Sequence, residues 1–264
     1  MKLLEIKDYK YHYQKSKNKS KGTIVFIHGF ATMSKYHNGF ANLLKDYDYY
    51  AFELPGHGIT EAKDLSVLSP YNLALSVVEW IKLMDFKDFY LIGHSMGGGI
   101  VGMVSTMIPE LIKKLVMVTP MNSSYSLKLL NVVKFNPKNN KETFEMQKVL
   151  YKNHLEFFDN ENHPDILEET KYQLEHRNKF VKLLVNMSSL SNMITLKKLE
   201  KLISVPTLLI LGKHYGIIDY KTATKLFVKK QNFKIELFEN SGHLPFIEEL
   251  NKYYNLVISF IESN

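Results

Sequence analysis

The chain has 264 residues, of which 45% are hydrophobic, and a formal net charge of +7 at pH 7; this is enough apolar material for one sizeable core. It contains no cysteine, which excludes disulfides and thiolate metal sites, and it has no uninterrupted apolar run of about 18 residues, so no membrane-spanning helix is predicted. Residues 1–13 lack the apolar centre of a signal peptide, and we therefore expect a cytoplasmic protein.

Short apolar runs alternate with segments of helical periodicity in the first half of the chain. A hairpin at the edge of the sheet is predicted over residues 3–14. Buried strands follow at 23–27, 49–53, 89–92 and 115–119, and helices lie between them at 36–44, 71–84 and 96–107. Alternation of this kind indicates a mainly parallel central sheet with helices on both faces.

This alternation stops after Thr119. From about 121 to 198 the pattern predicts helical segments only, at 144–158, 166–176 and 179–187. The alternation resumes at Pro206, with a strand at 207–211, a helix at 220–229, a strand at 234–238 and a final amphipathic segment at 244–261. We therefore predict a core of residues 1–120 and 199–264 that is interrupted by a helical unit of residues 121–198.

The most informative motif is Gly-His-Ser-Met-Gly at residues 93–97, which lies between the apolar run 89–92 and a helical segment. A serine between strand and helix, with almost no loop, must adopt a strained backbone conformation. Gly93 and Gly97 remove the Cβ atoms that would otherwise clash. The motif therefore predicts a Ser95 hydroxyl held at the tip of the sheet, with the Met96 N–H directed at the same space.

Two further loops carry groups that a serine nucleophile needs. His28-Gly29-Phe30 follows the strand at 23–27 and can offer the Phe30 N–H as a second oxyanion donor. Ser241-Gly242-His243 follows the strand at 234–238. A histidine in this late loop supplies the general base that a serine hydroxyl requires.

Over nearly its whole length the chain resembles the α/β-hydrolase fold family, in its esterase, monoglyceride-lipase-like and peptidase members. The matching stretches are His28-Gly29-Phe30, Leu54-Pro55-Gly56-His57-Gly58, Gly93-His94-Ser95-Met96-Gly97-Gly98 and Asn240-Ser241-Gly242-His243. The resemblance implies an α/β-hydrolase fold with a helical cap, or lid, inserted after the sixth strand. It also implies Ser95 as nucleophile, His243 as base, and the backbone N–H groups of Phe30 and Met96 as the oxyanion hole.

The acid of the triad is the point at which this sequence departs from the family pattern. In the family the strand corresponding to 207–211 ends in Gly-x-x-Asp, whereas Gly212-Lys213-His214-Tyr215 places a tyrosine there. A carboxylate follows only at Asp219, and the loop at 119–122, where some relatives carry the acid, has none. The sequence therefore names Asp219 as the candidate acid.

Three interpretations of Asp219 remain open. A bulge at 215–218 brings Asp219 to His243, or Asp219 only caps the helix that begins at Tyr220. In the second case Ser95 and His243 form a dyad, helped by Tyr215 or by a water molecule. In the third the chain is a weakly active or non-catalytic relative that binds ligands.

Aliphatic and aromatic residues of the helical unit predict an apolar acyl pocket above the serine. The candidate pocket residues are His28, Gly29, His94, Tyr125 and Tyr215. The ten histidines form no His-x-x-x-His or carboxylate-paired helical pattern, so no metal site is predicted. The chemistry proposed for the site requires no cofactor.

The positive charge comes almost entirely from lysine, because Arg177 is the only arginine. Phosphate recognition usually exploits the guanidinium group, so nucleic acid is not expected as a partner, and any membrane contact is expected to be peripheral. The expected partner is a small-molecule ester or lipid substrate. The sequence gives no indication of the oligomeric state.

Together these features predict a serine hydrolase that cleaves carboxylic esters, with a short- to medium-chain acyl group or a monoacylglycerol-like substrate, through an acyl-serine intermediate. Ser95 argues against epoxide hydrolases and dehalogenases of this architecture, which use an aspartate nucleophile. A peptidase, a thioesterase and a carbon–carbon bond hydrolase share the same catalytic parts and remain alternatives.

Overall fold

A mainly parallel sheet forms the centre of the computed structural model, which describes residues 1–62, 64–124, 133–214, 216–217 and 219–263. The sheet has eight strands in the order β1-β2-β4-β3-β5-β6-β7-β8. The strands are β1 Lys2–Ile6, β2 Tyr9–Gln14, β3 Thr23–Ile27, β4 Asp48–Phe52, β5 Phe89–His94, β6 Ile112–Val118, β7 Thr207–Gly212 and β8 Phe233–Phe238. β2 is antiparallel to both of its neighbours, and the other pairs are parallel.

Helices cover both faces of this sheet. The helices outside the insertion are α1 Asn38–Leu43, α2 Pro70–Leu83, α3 Met96–Met107, α8 Tyr220–Phe227, α9 Pro245–Glu248 and α10 Leu250–Glu262. Because successive side chains of a strand point to opposite faces, Ile24 and Phe26 of β3 pack in one core while Val25 and Ile27 pack in the other. The predicted fold class is therefore confirmed.

Between β6 and β7 the described residues form four further helices. These are α4 Asn140–Leu150, α5 Pro164–Glu175, α6 Arg177–Met187 and α7 Leu190–Leu202. The prediction of one helix over 144–158 is wrong in its bounds, because the side chain of Asn139 caps α4 and the backbone turns extended at Tyr151. The predicted limit between residues 198 and 199 lies inside α7. In the described part of the chain, no helix combines the length and the apolar character needed to cross a membrane.

Candidate active site

Ser95 occupies a strained turn between β5 and α3. It is the single residue between strand and helix, and its φ of 56° and ψ of −120° are rarely adopted by a residue with a side chain. Backbone hydrogen bonds hold the turn on both sides. The Ser95 N–H donates to the carbonyl of Val118 at 3.0 Å, and its carbonyl accepts from the Met121 N–H at 2.7 Å. The surrounding structure thus fixes the conformation that the motif predicts.

The glycines of the motif are required by close backbone contacts. A Cβ atom at Gly93 would lie 2.4 Å from the carbonyl oxygen of Gly97. A Cβ atom at Gly97 would lie 2.3 Å from the carbonyl oxygen of His28. Neither contact can be relieved by a side-chain rotation, because each is made to backbone. These two positions therefore bring the 28–30 loop and the first turn of α3 together beside Ser95.

The two predicted oxyanion donors lie beside the serine. The loop that contains Phe30 packs on Ser95, since a Cβ atom at Gly29 would lie 3.0 Å from the Ser95 Cβ. Met96 is the first residue of α3, where N–H groups have no acceptor within the helix. In the ranges that the structure describes, neither the Phe30 N–H nor the Met96 N–H donates a hydrogen bond. Both groups are thus available to a ligand.

His243 lies in the loop between β8 and α9, and its backbone is held at three points. Its N–H donates to the carbonyl of Leu150 at 2.5 Å. Its carbonyl accepts from His94 Nε2 at 3.0 Å and from Thr119 Oγ1 at 2.9 Å. The His94 and His243 rings lie 4.5 Å apart. The residue that precedes the serine therefore also positions the histidine.

The imidazole of His243 is kept in its neutral form. Burial lowers its pKa well below the ordinary value, and His94 lowers it further. Burial likewise lowers the pKa of His94, to about 4. A neutral imidazole is the form that can accept a proton from a serine hydroxyl.

Ser95 and His243 line one cavity of about 440 Å³. It lies between the carboxyl end of the sheet and the helices that follow β6. Most of its wall is apolar and includes Phe30, Met121, Leu150, Leu184, Met187 and Ile217. This volume and lining are typical of a small-molecule pocket.

One part of the cavity wall is polar, and no pattern in the sequence indicates it. It contains Tyr36, Gln147, Tyr151 and Glu169. The Nε2 of Gln147 donates to a Glu169 carboxylate oxygen at 2.9 Å. These residues come from three separate segments, so their meeting depends on how the inserted helices pack.

Three of the five candidate pocket residues lie in the part of the chain that the structure describes. Gly29 and His94 line it. His28 does not, and this pocket assignment is corrected: its Nε2 accepts from the Leu54 N–H at 3.0 Å, and its Nδ1 lies 2.8 Å from the carbonyl of Gly29. The ring therefore supports the 28–30 loop from behind. Tyr125 and Tyr215 lie outside the described residues.

Asp219 is the N-cap residue of α8. Its carboxylate accepts from the Thr222 N–H at 3.0 Å and from Thr222 Oγ1 at 2.8 Å. The contact expected of a capping residue is thus present. Ile217, two residues earlier, lines the cavity, and His214 N–H donates to the carbonyl of Ser241 at 3.1 Å. The segment before Asp219 therefore adjoins the His243 loop, and an orienting role for Asp219 stays a prediction.

Two glutamates that sequence reasoning did not connect with the site hold the His243 loop. Glu248 accepts from the Gly242 N–H at 2.8 Å, and Glu249 accepts from the Ser241 hydroxyl at 2.6 Å. Burial raises the pKa of Glu248, and the backbone N–H donors oppose that rise. The two carboxylates replace the hydrogen bonds that this loop would otherwise make to water.

A third glutamate, Glu53, lies behind the 28–30 loop at the end of β4. Its carboxylate accepts from the Ser34 N–H at 2.7 Å and from Ser34 Oγ at 3.2 Å. Its Oε1 lies 3.4 Å from His28 Nε2. Burial raises the pKa of Glu53 to about 7 and lowers that of His28 to about 4. The sequence feature that indicates this network is the charged Glu53 at the end of an apolar strand.

Glu53 contributes a fall in the free energy of unfolding as pH rises from about 4.5 to about 7, opposite in sign to the rise that the buried His28 and His94 contribute through their lowered pKa values. The folded protein keeps a proton on this carboxyl over that interval, whereas the unfolded chain has lost it. Burial also raises the pKa of Glu169 to about 7, which adds a contribution of the same sign. Glu53→Gln should remove one of these contributions, each at most about 1.4 kcal/mol per pH unit.

Urea unfolding at several pH values between 4.5 and 7 measures this slope. Glu175→Gln, at an exposed position of α5, is the matched control and should keep the wild-type slope. The change of the free energy of unfolding with pH should become more positive in Glu53→Gln, and an unchanged slope would contradict the assignment.

The family of this chain follows from its sequence as well as from its geometry. A model of the alpha/beta hydrolase fold family matches residues 22–163. This match spans more than half of the 264 residues. The chain belongs to the alpha/beta hydrolase fold family, as the resemblance of its motifs predicted.

Relatives align with nearly the whole chain. The "Putative esterase/lipase 3" of Mycoplasma pneumoniae is 28% identical over 273 residues, which cover 99% of this chain and 94% of that protein. Human "Monoacylglycerol lipase ABHD6" is 28% identical over 276 residues, which cover 97% of this chain and 80% of that protein. The crystal structure of lip1 from Acinetobacter baumannii superimposes with a TM-score of 0.83 at 23% identity, covering 98% of this chain and 90% of that one.

Proposed function

We propose that this protein hydrolyses carboxylic esters through an acyl-serine intermediate on Ser95. The observation that carries the proposal is the strained turn that holds Ser95 in the same apolar cavity as His243. The printed names of the relatives, an esterase/lipase and a monoacylglycerol lipase, support an ester as the substrate. Neither Ser95 nor His243 would need a metal or an organic cofactor for this chemistry.

In the proposed reaction, His243 takes the proton of the Ser95 hydroxyl while the serine oxygen attacks the acyl carbon. The N–H groups of Phe30 and Met96 stabilise the negative charge that develops on the carbonyl oxygen. The bond to the alcohol then breaks, and the alcohol leaves with the proton from His243. Water attacks the acyl-serine with His243 again as base, and the free acid is released.

The helices between β6 and β7 act in this proposal as the cap over the serine. Residues of α4, α5 and α6 line the cavity together with residues of the core. The cap therefore supplies the wall that binds substrate and excludes water, while the core supplies the reacting groups. Residues 121–198 are proposed as this unit, with residues 1–120 and 199–264 as the core.

A panel of p-nitrophenyl esters, from acetate to palmitate, tests the proposed function. We expect measurable turnover, with the highest kcat/KM for short to medium acyl chains, because the cavity of about 440 Å³ has to hold the acyl group and the alcohol together. A preference for palmitate would contradict the expected length of the acyl chain. No turnover of any ester would contradict the function.

Asp219 is proposed as the acid that orients His243, in addition to capping α8. Asn is as good an N-cap residue as Asp, so Asp219→Asn removes the charge and keeps the cap. We expect kcat/KM for p-nitrophenyl butyrate to fall at least tenfold; loss of the orienting carboxylate costs about 10⁴ in serine proteases. The urea midpoint should change little.

The control for this substitution is Asp64→Asn, since Asp64 also caps a helical turn and accepts from the Ser66 N–H. It should leave kcat/KM unchanged. If Asp219→Asn likewise leaves kcat/KM unchanged, Asp219 is a cap only, and Ser95 and His243 work without it.

A further inference from the structure

The polar part of the cavity wall has hydrogen-bonding groups that the protein itself leaves unused. Gln147 is 2% exposed and Tyr151 is 7% exposed, yet both line the cavity. The Gln147 amide donates to Glu169, and within the described residues its Oε1 accepts no hydrogen bond. Within the described residues, the hydroxyls of Tyr36 and Tyr151 make no hydrogen bond either. Four polar groups thus face one space with bonding capacity left over.

These four groups combine acceptors with donors. The Gln147 Oε1 can only accept, and the Glu169 carboxylate, whose pKa burial raises to about 7, can only accept above that pH, where it is ionised. The tyrosine hydroxyls are kept protonated, because burial raises the pKa of Tyr36 and of Tyr151, and the charge of Glu169 raises both further. A ligand hydroxyl, which both donates and accepts, satisfies such a set, whereas an ammonium group would leave the tyrosine donors without an acceptor.

Glu169 differs from its neighbour Glu168 in its partners. Glu168 is exposed and pairs with Lys35 at 2.9 Å. Across the described ranges, no lysine, arginine or histidine lies within ion-pair distance of Glu169. Its hydrogen bonds come from the amides of Gln147 and Gln173. A half-buried carboxylate whose partners in the described residues are amides gains from every further donor that a ligand brings.

The polar wall lies on the side of the cavity where the alcohol of an ester has to leave. The backbone carbonyl of Leu150 accepts a hydrogen bond from the backbone N–H of His243. Gln147 lies about one turn before Leu150 on α4, and Tyr151 follows Leu150 directly. In the proposed reaction the alcohol takes its proton from His243. The alcohol therefore lies next to Gln147, Tyr151 and Glu169, and the acyl chain lies along the apolar wall.

We propose that Glu169, Gln147, Tyr36 and Tyr151 form a subsite that binds free hydroxyl groups on the alcohol part of the ester, as in a glycerol monoester. This inference rests on the proposed function, since it assigns one end of the same cavity. It makes the protein selective for esters of polyols over esters of simple alcohols.

A matched pair of substrates tests the subsite. Propyl octanoate is 1-monooctanoylglycerol without its two free hydroxyls, so the acyl chain and the length of the alcohol stay the same. We expect kcat/KM to be at least tenfold higher for 1-monooctanoylglycerol, as one or two hydrogen bonds to a charged group would give. Glu169→Gln and Gln147→Leu should each remove most of this preference by lowering kcat/KM for 1-monooctanoylglycerol.

Glu175→Gln, on the same helix and outside the cavity lining, is the control and should keep the preference. Equal rates for the two esters in the wild-type protein would overturn the subsite, while turnover of propyl octanoate would still support the proposed function. A preference for octanoylcholine over the glycerol ester, lost in Glu169→Gln, would also overturn it in favour of a cation site. If neither octanoate is hydrolysed, the proposed function itself fails.

Discussion

Ser95→Ala is expected to lower kcat for p-nitrophenyl butyrate by about 10⁶-fold, the loss seen when the nucleophile of a serine hydrolase is removed. The hydroxyl is the only group that changes. The hydrogen bonds that hold the turn, to Val118 and from Met121, are made by the Ser95 backbone and persist in the variant. Activity should therefore be lost while the urea midpoint stays close to that of the wild type.

Ser105→Ala is the matched control for this experiment. Ser105 is buried in the same helix, α3, and its hydroxyl donates to the carbonyl of Gly102. Its removal should cost about 1 kcal/mol of stability and leave kcat/KM unchanged. If Ser95→Ala kept more than about one hundredth of the wild-type kcat, the nucleophile would have to be another residue.

His243→Gln is expected to have an effect of similar size, a loss of about 10⁶-fold in kcat. Glutamine cannot act as a general base near neutral pH. The contacts of residue 243 with Leu150, His94 and Thr119 involve its backbone, so the loop should keep its position. Circular dichroism and the urea midpoint would check that the fold persists.

The pH profile of the wild-type protein carries the same prediction. Burial lowers the pKa of His243 well below its ordinary value, so the neutral base should persist into mildly acidic solution. The acid limb of kcat/KM is therefore expected below pH 6.5, the ordinary pKa of histidine. The exposed His214, replaced by Gln, is the control and should leave both rate and profile unchanged. A His243→Gln variant with near wild-type activity would contradict the role of the base.

The parts of the site that could be predicted are those that local backbone geometry dictates. A serine between strand and helix forces glycine at positions 93 and 97, and the contacts at those glycines are indeed too close for a Cβ atom. The order of apolar runs also predicted the sheet. Strands that are covered on both faces are continuously apolar, and this can be seen in the sequence.

The remaining features depend on contacts between distant segments. Gln147 and Glu169 lie on different inserted helices, and no local pattern indicates that they meet. The sequence likewise could not show that the His28 ring turns away from the cavity toward Leu54. The end of α4 at Leu150 was missed because the apolar residues beyond it continue to suit a helix, although the backbone there is extended.

The most direct measurement is the reaction of the purified protein with a fluorophosphonate probe, followed by peptide mass spectrometry. Only a serine activated by a nearby base reacts rapidly with such a probe. We expect one adduct per chain, on Ser95, with no adduct in Ser95→Ala and much slower labelling in His243→Gln. Absence of an adduct in the wild-type protein, or an adduct on a different serine, would contradict the assignment of Ser95 as the nucleophile.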